Sequence, residues 1–313
     1  MLFTVAIPAF KNKFFDQCIE SVLNQTFPDF ELIVLNDLSP EPIKNTLSKY
    51  HDKRIIYLEN SYNVGPERLV ENWNRCLYHA KGKFLIILGD DDMFEPDYLQ
   101  SFADLIVAYP TYDIFHCRSK IINDKSVAIS LTPSWPEFET VYDNIWHRLF
   151  NGRLQYISDF VYRTEKLKSV GGFFYLPLAW GSDDISSFSV MVQNGIIHTN
   201  NTLLNYRQHS ETLSSSGNIS SKMMATIEKG KWLTDFLSKV PPNSQDKIVH
   251  KNISARLDFI IRKQKILLIK YSLSSDSFFN CFHWFRYAKK YKIKYIDIFY
   301  SLAITVISKF YKD

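Results

Sequence analysis

Short apolar runs alternate with amphipathic stretches along the first third of the chain. Phe3 to Ile7, Glu31 to Leu35, Arg54 to Leu58 and Phe84 to Leu88 are each too brief for a helix and predict strands. The first is expected to end at Pro8, where a missing N–H closes pairing. Phe14, Cys18 and Val22, with Phe15, Ile19 and Leu23, recur at four-residue spacing and predict an amphipathic helix. Ser39 before Pro40 suits the N-cap of a short helix through Ile43 and Leu47. A longer helix carries Leu69, Trp73, Cys76, Leu77 and Ala80, and Gly82 ends it. Strand and helix in strict alternation predict an α/β fold with a parallel sheet in three layers.

Such a sheet lines up its strand ends along one edge. Pro8 to Phe10, Asp37, residues 60–68 and Asp90 to Asp92 would meet there, in a crevice suited to a nucleotide. Asp90, Asp91 and Asp92 follow directly on the apolar strand and Gly89. Three adjacent anions repel one another, and a hard cation bridging to phosphate oxygens relieves that repulsion, so Mg(II) or Mn(II) with a nucleoside diphosphate is the natural guest. The same triplet also suits a solvated acidic turn ahead of the helix at Pro96.

Past Asp92 the alternation loosens. Pro96 to Tyr109 predicts a helix, Asp113 to Cys117 a strand, residues 118–136 a hairpin or loop, residues 143–150 a helix and Tyr156 to Arg163 a strand. Gly171, Gly172 and Phe173 form a tight turn where backbone could approach a ligand. Trp180 to Asp184 open a helix that Gly195 ends, and Ile196 to Tyr206 is a strand. Beyond Gly217 the pattern is helical, with Pro241, Pro242 and Asn243 as its one clear break.

A length of 313 residues, 46% hydrophobic and 22% charged, excludes disorder and allows one large domain with an appendage. Cys18, Cys76, Cys117 and Cys281 show no metal-ligand spacing, which predicts reduced thiols and a cytoplasmic setting. No basic region precedes the apolar start, so no signal peptide is expected. The net charge of +4 is unevenly placed. Residues 251–313 hold 13 basic and 4 acidic side chains, a surplus of nine, and the first 250 residues carry −5. Aromatics interleave with the basic residues in HWFRYAKKYKIKY, a texture suited to an anionic membrane surface rather than to nucleic acid. The longest uncharged run there, Ile298 to Ser308, is too short to span a bilayer.

TVAIPAF, LNDLS, NVGPERLVENWN and AKGKFLIILGDDDMFEPDYL, in this order, resemble the family 2 nucleotide-sugar glycosyltransferases, which have the GT-A fold. SDFVYRTEKLKSVGGF, WGSDD, QNG and NYRQHSETLS resemble that family's acceptor half. The likeness covers roughly residues 1 to 215, so the domains are expected at 1–216, GT-A-like, and 217–313, a helical basic region.

The resemblance implies roles residue by residue. Asp37 would accept a hydrogen bond from the base, typically uracil N3–H. Asn63, Gly65 and Arg68 border the nucleotide, Arg68 complementing base or phosphate, and Asp90 contacts ribose. Asp91 and Asp92 are the metal candidates, with His209 as a further metal or diphosphate contact; an imidazole among carboxylates suits Mn(II). The family commonly places a carboxylate where this chain has Gly89, so which two aspartates hold the ion stays open. Asp184 is the expected general base, with Asp183 raising its pKa by like-charge repulsion. Phe173 and Trp180 suit a sugar platform. The implied reaction is inverting transfer of a hexosyl or N-acetylhexosaminyl group, from a UDP-sugar first, to a glycan or lipid-linked acceptor in bacterial surface polysaccharide synthesis. The setting would be the cytoplasm or the inner face of the plasma membrane, and self-association is open. A nucleotidyltransferase is the enzymatic rival, although no Gly- and Lys/Arg-rich loop follows Phe10. A silent nucleotide-binding or assembly protein is the other.

Overall fold

The computed structural model describes residues 1–209, 218–275 and 280–310. They divide into two compact units. One holds Met1–Tyr175 and the described part of Ser182–Ser216; the other holds Leu176–Gly181 and the described part of Gly217–Asp313. The expected boundary at 216/217, and the SETLS end of the last family-like motif, lie outside the described residues.

The first unit is α/β. Its strands are β1 (Phe3–Ala9), β2 (Phe30–Asn36), β3 (Ile55–Glu59), β4 (Phe84–Ile87), β5 (Met93–Phe94), β6 (Ile114–Ile122), β7 (Ala128–Leu131), β8 (Phe138–Glu139), β9 (Phe160–Arg163) and β10 (Ile196–Arg207). They join in one sheet of order β3-β2-β1-β4-β9-β6-β10-β5, with β7 on β6 and β8 on β10. β1 to β4 pair in parallel, whereas β9 runs antiparallel to both β4 and β6. Helices α1 (Phe15–Leu23), α2 (Ile43–Leu47), α3 (Leu69–His79), α4 (Tyr98–Ala108), α5 (Val141–Phe150), α6 (Thr164–Ser169) and α7 (Ser182–Met191) connect them. The four-residue stripe of α1 buries Phe15, Cys18, Ile19 and Val22 against the β1, β2 and β4 side chains, as its period predicts.

Two expectations change here. Pro8 does not end β1, which stays paired with β2 as far as Ala9. The Ala6 carbonyl accepts from Leu88 on the β4 side, and alternate residues of a parallel strand bond to the same neighbour. Pro8 therefore turns its missing N–H toward the side where the β4 ladder has already stopped. Ser39 does not cap α2, whose N-cap is Pro42. Its hydroxyl instead donates to the Phe10 carbonyl and accepts from Glu41 N–H.

The second unit is helical: α8 (Ile219–Phe236), α9 (Ser244–Ser275), α10 (Asn280–Tyr287) and α11 (Tyr295–Phe310). Met223, Ile227, Ile269, Leu273, Trp284 and Ile298 form its core. Pro241 to Asn243 do separate α8 from α9, but residues 288–294 make a second break, ahead of α11.

Candidate active site

The order of the parallel strands reverses between β1 and β4, since β2 and β3 lie to one side of β1 and β4 to the other. Loops leaving the carboxyl ends of strands part at such a point and open a crevice. Asp90 bridges it. Its Oδ2 accepts the backbone N–H of Phe10 at 2.8 Å and of Lys11 at 2.7 Å, joining the loop after β4 to the loop after β1. Burial, with the charge of Asp91 beside it, raises the Asp90 carboxyl to about 7 against the pull of those two donors.

The three aspartates face different ways. Asp92 turns inward and is buried, its Oδ1 accepting from Arg207 N–H at 2.9 Å and its Oδ2 from Ser158 Oγ at 3.1 Å. Asp91 stays partly exposed, and its Oδ2 lies 2.9 Å from Nε2 of His209. Asp91 and Asp92 thus differ in setting: Asp91 lies against His209, while each oxygen of Asp92 accepts one bond from the scaffold. Gly89 fits the same picture: a Cβ there would stand 2.9 Å from Asp92 Oδ2 and 3.2 Å from Asp91 Oδ1. A carboxylate, the family's usual residue, would crowd both.

A carboxylate with an imidazole suits Mn(II), and also Mg(II) less well. Among the described residues no group of three or more His, Cys, Asp or Glu side chains is placed to hold a metal. An ion bound here would therefore need phosphate oxygens and water to complete its shell, as ions that carry nucleotide phosphates do.

Asp37 is buried at the carboxyl end of β2. Its Oδ1 accepts from Asn60 Nδ2 at 2.7 Å and Val64 N–H at 2.9 Å, and its Oδ2 from Gly65 N–H at 3.3 Å. Asn63 adds a 2.7 Å bond to the Asp37 carbonyl. The loop bordering the crevice is thus folded around Asp37, and a carboxylate with about four acceptor positions keeps capacity for a base N–H. The exposed guanidinium of Arg68 pairs with Glu71, three residues on.

Asp183 and Asp184 begin α7, where the helix dipole favours negative charge. Asp183 is half-buried. Asp184 is buried, and its Oδ1 takes a 2.7 Å ion pair from Nε of Arg148 on α5. Arg148 is held in turn by a 2.8 Å bond to the Arg153 carbonyl. Tyr156 is stacked on Tyr206 with ring centres 3.7 Å apart. Burial and the charges of Asp159 and Asp92 push its phenol up while Arg148 pulls it down.

The sugar-platform expectation is corrected at Phe173. Phe173 is buried, 5.5 Å from the rings of both Trp73 and Tyr162, so it is core. The close approach at Gly172 is to Asn74, whose Oδ1 would lie 2.5 Å from a Cβ there and which bonds both the N–H and the carbonyl of Phe173. Trp180 belongs to the second unit, where Lys222 Nζ lies 4.7 Å from its ring centre.

The sequence pattern described as glycosyl transferase family 2 matches residues 4–167, more than half of the chain. The chain belongs to glycosyl transferase family 2. It is 28% identical over 184 residues to glycosyltransferase GlyA of Streptococcus pneumoniae, covering 57% of this chain and 23% of that protein. It is 34% identical over 93 residues to the GalNAc(5)-diNAcBac-PP-undecaprenol beta-1,3-glucosyltransferase of Campylobacter jejuni, covering 28% of this chain and 29% of that enzyme. These matches span less than a third of either relative. The fold is similar to that of S. aureus TarS 1–349 in complex with UDP-GlcNAc, with a TM-score of 0.65 and 17% identity over 86% of this chain and 80% of that one. It is also similar to the mannosyltransferase PcManGT of Pyrobaculum calidifontis in complex with GDP-Man and Mn2+, with a TM-score of 0.56 and 14% identity over 99% and 87%. The GT-A-like fold expected of the family is present, together with C-terminal helices.

Three residues of this family 2 glycosyltransferase site carried no signal of their own in the sequence. Arg207 is fully buried; its Nε donates to the Asp91 carbonyl, its Nη2 to Gln17 Oε1, and its guanidinium lies 4.1 Å from the Phe14 ring centre. Ser158 and Arg148 reach their aspartates across 66 and 36 positions. Only the neighbourhood of Arg207 to His209 hinted at the first.

Behind the site His116 and His198 are buried with Nδ1 atoms 3.1 Å apart, and His198 Nε2 lies 3.3 Å from Glu139 Oε2. Burial brings His198 down to about 4, although Glu139 draws it upward. Burial alone would raise Glu139, but His198 and Arg153 hold it at about 2. Both native values lie below the unfolded ones, so both contributions are full at neutral pH and are lost on acidification. His198 loses its share as pH falls from about 6.5 through 4, and Glu139 from about 4.5 toward 2. The expected cost of protonating His198 is up to about 3 kcal/mol. Urea midpoints at pH 7 and pH 4.5 should differ clearly in the wild type and much less in His198→Asn. Equal slopes would remove His198 from the acid transition.

Proposed function

We propose that this enzyme transfers a hexosyl or N-acetylhexosaminyl group, with inversion, from a nucleoside diphosphate sugar to a hydroxyl of a surface glycan or its lipid-linked precursor. The observation that carries the reading is Asp91 paired with His209 at the reversal point of the parallel strands, beside the loop that Asp90 anchors. Asp37 favours uridine, because its carboxylate can accept from an N3–H that cytosine lacks. The neighbours differ on this point, one crystallised with UDP-GlcNAc and the other with GDP-Man. The Campylobacter relative, by its name, acts on an undecaprenol-linked glycan, which supports a lipid-linked acceptor.

Asp91 and His209 would hold Mn(II) or Mg(II), which when bound offsets charge on a departing diphosphate. The chain's own residues do the rest. Asp90 fixes the two loops that flank the nucleotide, and Asp37 orders the loop over the base. Asp184 takes the acceptor hydroxyl's proton as the oxygen attacks the anomeric carbon, forming one C–O bond as the sugar–phosphate bond breaks on the opposite face. That role requires Arg148 to yield Asp184, or to share it, when an acceptor is present.

Calorimetric titration of UDP, GDP, CDP and dTDP, with and without Mn(II), tests the reading. Tight, Mn-enhanced binding of UDP is expected. No binding of any diphosphate would defeat the donor site, and binding without turnover of any UDP-sugar would favour the silent binding protein.

A further inference from the structure

Helix α11 is built with its polar face inward. Asp297, Ser301 and Thr305 are buried together with Ile298, and Asp297 receives a 2.9 Å bond from Arg262 Nε on α9. Ser301 and Thr305 turn their hydroxyls onto carbonyls of their own helix, 2.7 Å each, so the packed face satisfies its own polar groups. The outward face carries Ile296, Phe299, Tyr300 and Ile307, each more than half exposed. Their spacing is three and four residues, then seven, which places them on one stripe. A helix that only had to dock on α9 would be expected to show the opposite arrangement, since exposed large side chains cost solubility and buried hydroxyls add little.

The turn leading into this helix is strongly cationic. Lys289, Lys290, Lys292 and Lys294 are all exposed. From Asn280 to Phe310 the sole acidic residue is Asp297, which is buried and ion-paired. No described helix is long and apolar enough to cross a membrane. An apolar stripe on one face of a helix, next to a run of lysines, matches an interfacial helix lying among anionic headgroups. A second copy of the chain matches less well, because pairing the two stripes would gather two lysine clusters at one contact.

We infer that the outer face of α11, with Lys289 to Lys294, is a docking surface for an anionic lipid bilayer, seating Ile296, Phe299, Tyr300 and Ile307 at the acyl boundary. It would bring the enzyme to the plane in which a lipid-linked acceptor is held, and so rests for its purpose on the acceptor reading above. Membrane capture and nucleotide binding are measured separately, so the failure of one leaves the other standing.

The test is co-sedimentation of the full chain with vesicles of phosphatidylglycerol and phosphatidylcholine, and with vesicles of phosphatidylcholine alone. Capture by the anionic vesicles is expected, falling as salt is raised. Phe299→Glu/Ile307→Glu and Lys290→Glu/Lys294→Glu should each weaken partitioning about tenfold or more. All four positions are exposed, so thermal unfolding and UDP binding should be unchanged. No capture by anionic vesicles, equal capture by neutral ones, or undiminished capture of both variants would overturn the assignment. So would a wild-type dimer that Phe299→Glu/Ile307→Glu dissolves without altering capture, which would make the stripe a contact between copies.

Discussion

Asp91→Asn is expected to lower kcat/KM for the donor about a thousandfold while leaving the protein as stable as the wild type. The substitution removes charge from the carboxylate of the triplet that is paired with His209. About 4 kcal/mol of differential stabilisation of a departing diphosphate corresponds to that factor. Asp92→Asn should behave differently. Its carboxylate is buried and accepts from Arg207 N–H and Ser158 Oγ, so an amide keeps one acceptor for Arg207 and forces the Ser158 hydroxyl to turn from donor to acceptor. The expected result is a loss of about 1–3 kcal/mol in stability, with activity falling because Arg207 and the loop after β4 shift. Calorimetry with Mn(II) and UDP, beside urea unfolding, separates the two. If Asp92→Asn lost metal-dependent binding at unchanged stability and Asp91→Asn kept it, the assignment of the ion to Asp91 and His209 would be wrong.

Local rules reached the parallel half of the fold because its information is local. Four apolar runs of strand length, separated by helix-period stripes, leave few topologies open, and the crevice then falls at the strand ends. The ends of β1, β2 and β4 do meet through Phe10, Asp37 and Asp90 as that logic requires. What composition and spacing could not express is direction. Three consecutive aspartates look alike in the sequence, and only the arrival of Arg207 and Ser158 from distant segments decides that Asp92 faces the core. Phe173 looked like a platform because an aromatic face can cover the apolar face of a sugar; Trp73 and Tyr162, from elsewhere in the chain, make it core. The hairpin region 118–136 was ambiguous for a related reason. β6 runs to Ile122 and pairs with β7, whose four residues are all exposed and so leave no alternating apolar pattern.

Asp184→Asn should cut kcat by roughly 10²–10⁴ while leaving UDP affinity within a factor of about two. A general base acts on the acceptor only as the bond forms, so its loss belongs in kcat and not in donor binding. The geometry sharpens this into a comparison. Asp184 is buried against Arg148, whereas Asp183 is more accessible on the same turn. An ion-paired carboxylate is a weaker base than a solvated one, because the neighbouring cation favours its charged form. With Asp184 as the proposed base, the acceptor on entering would have to loosen the Arg148 contact. Arg148→Met would take the guanidinium away from the buried Asp184, a change expected to cost about 3–5 kcal/mol of stability. Arg148→Lys keeps the charge while losing the guanidinium's second bond to the Arg153 carbonyl, and should retain most of the stability but alter the acidic limb of the kcat profile. Asp183→Asn, by contrast, should lower kcat by less than tenfold if Asp184 is the base. Should Asp183→Asn prove the more damaging at equal stability, the base is the half-buried aspartate, and the Arg148–Asp184 pair serves to hold the start of α7 in place.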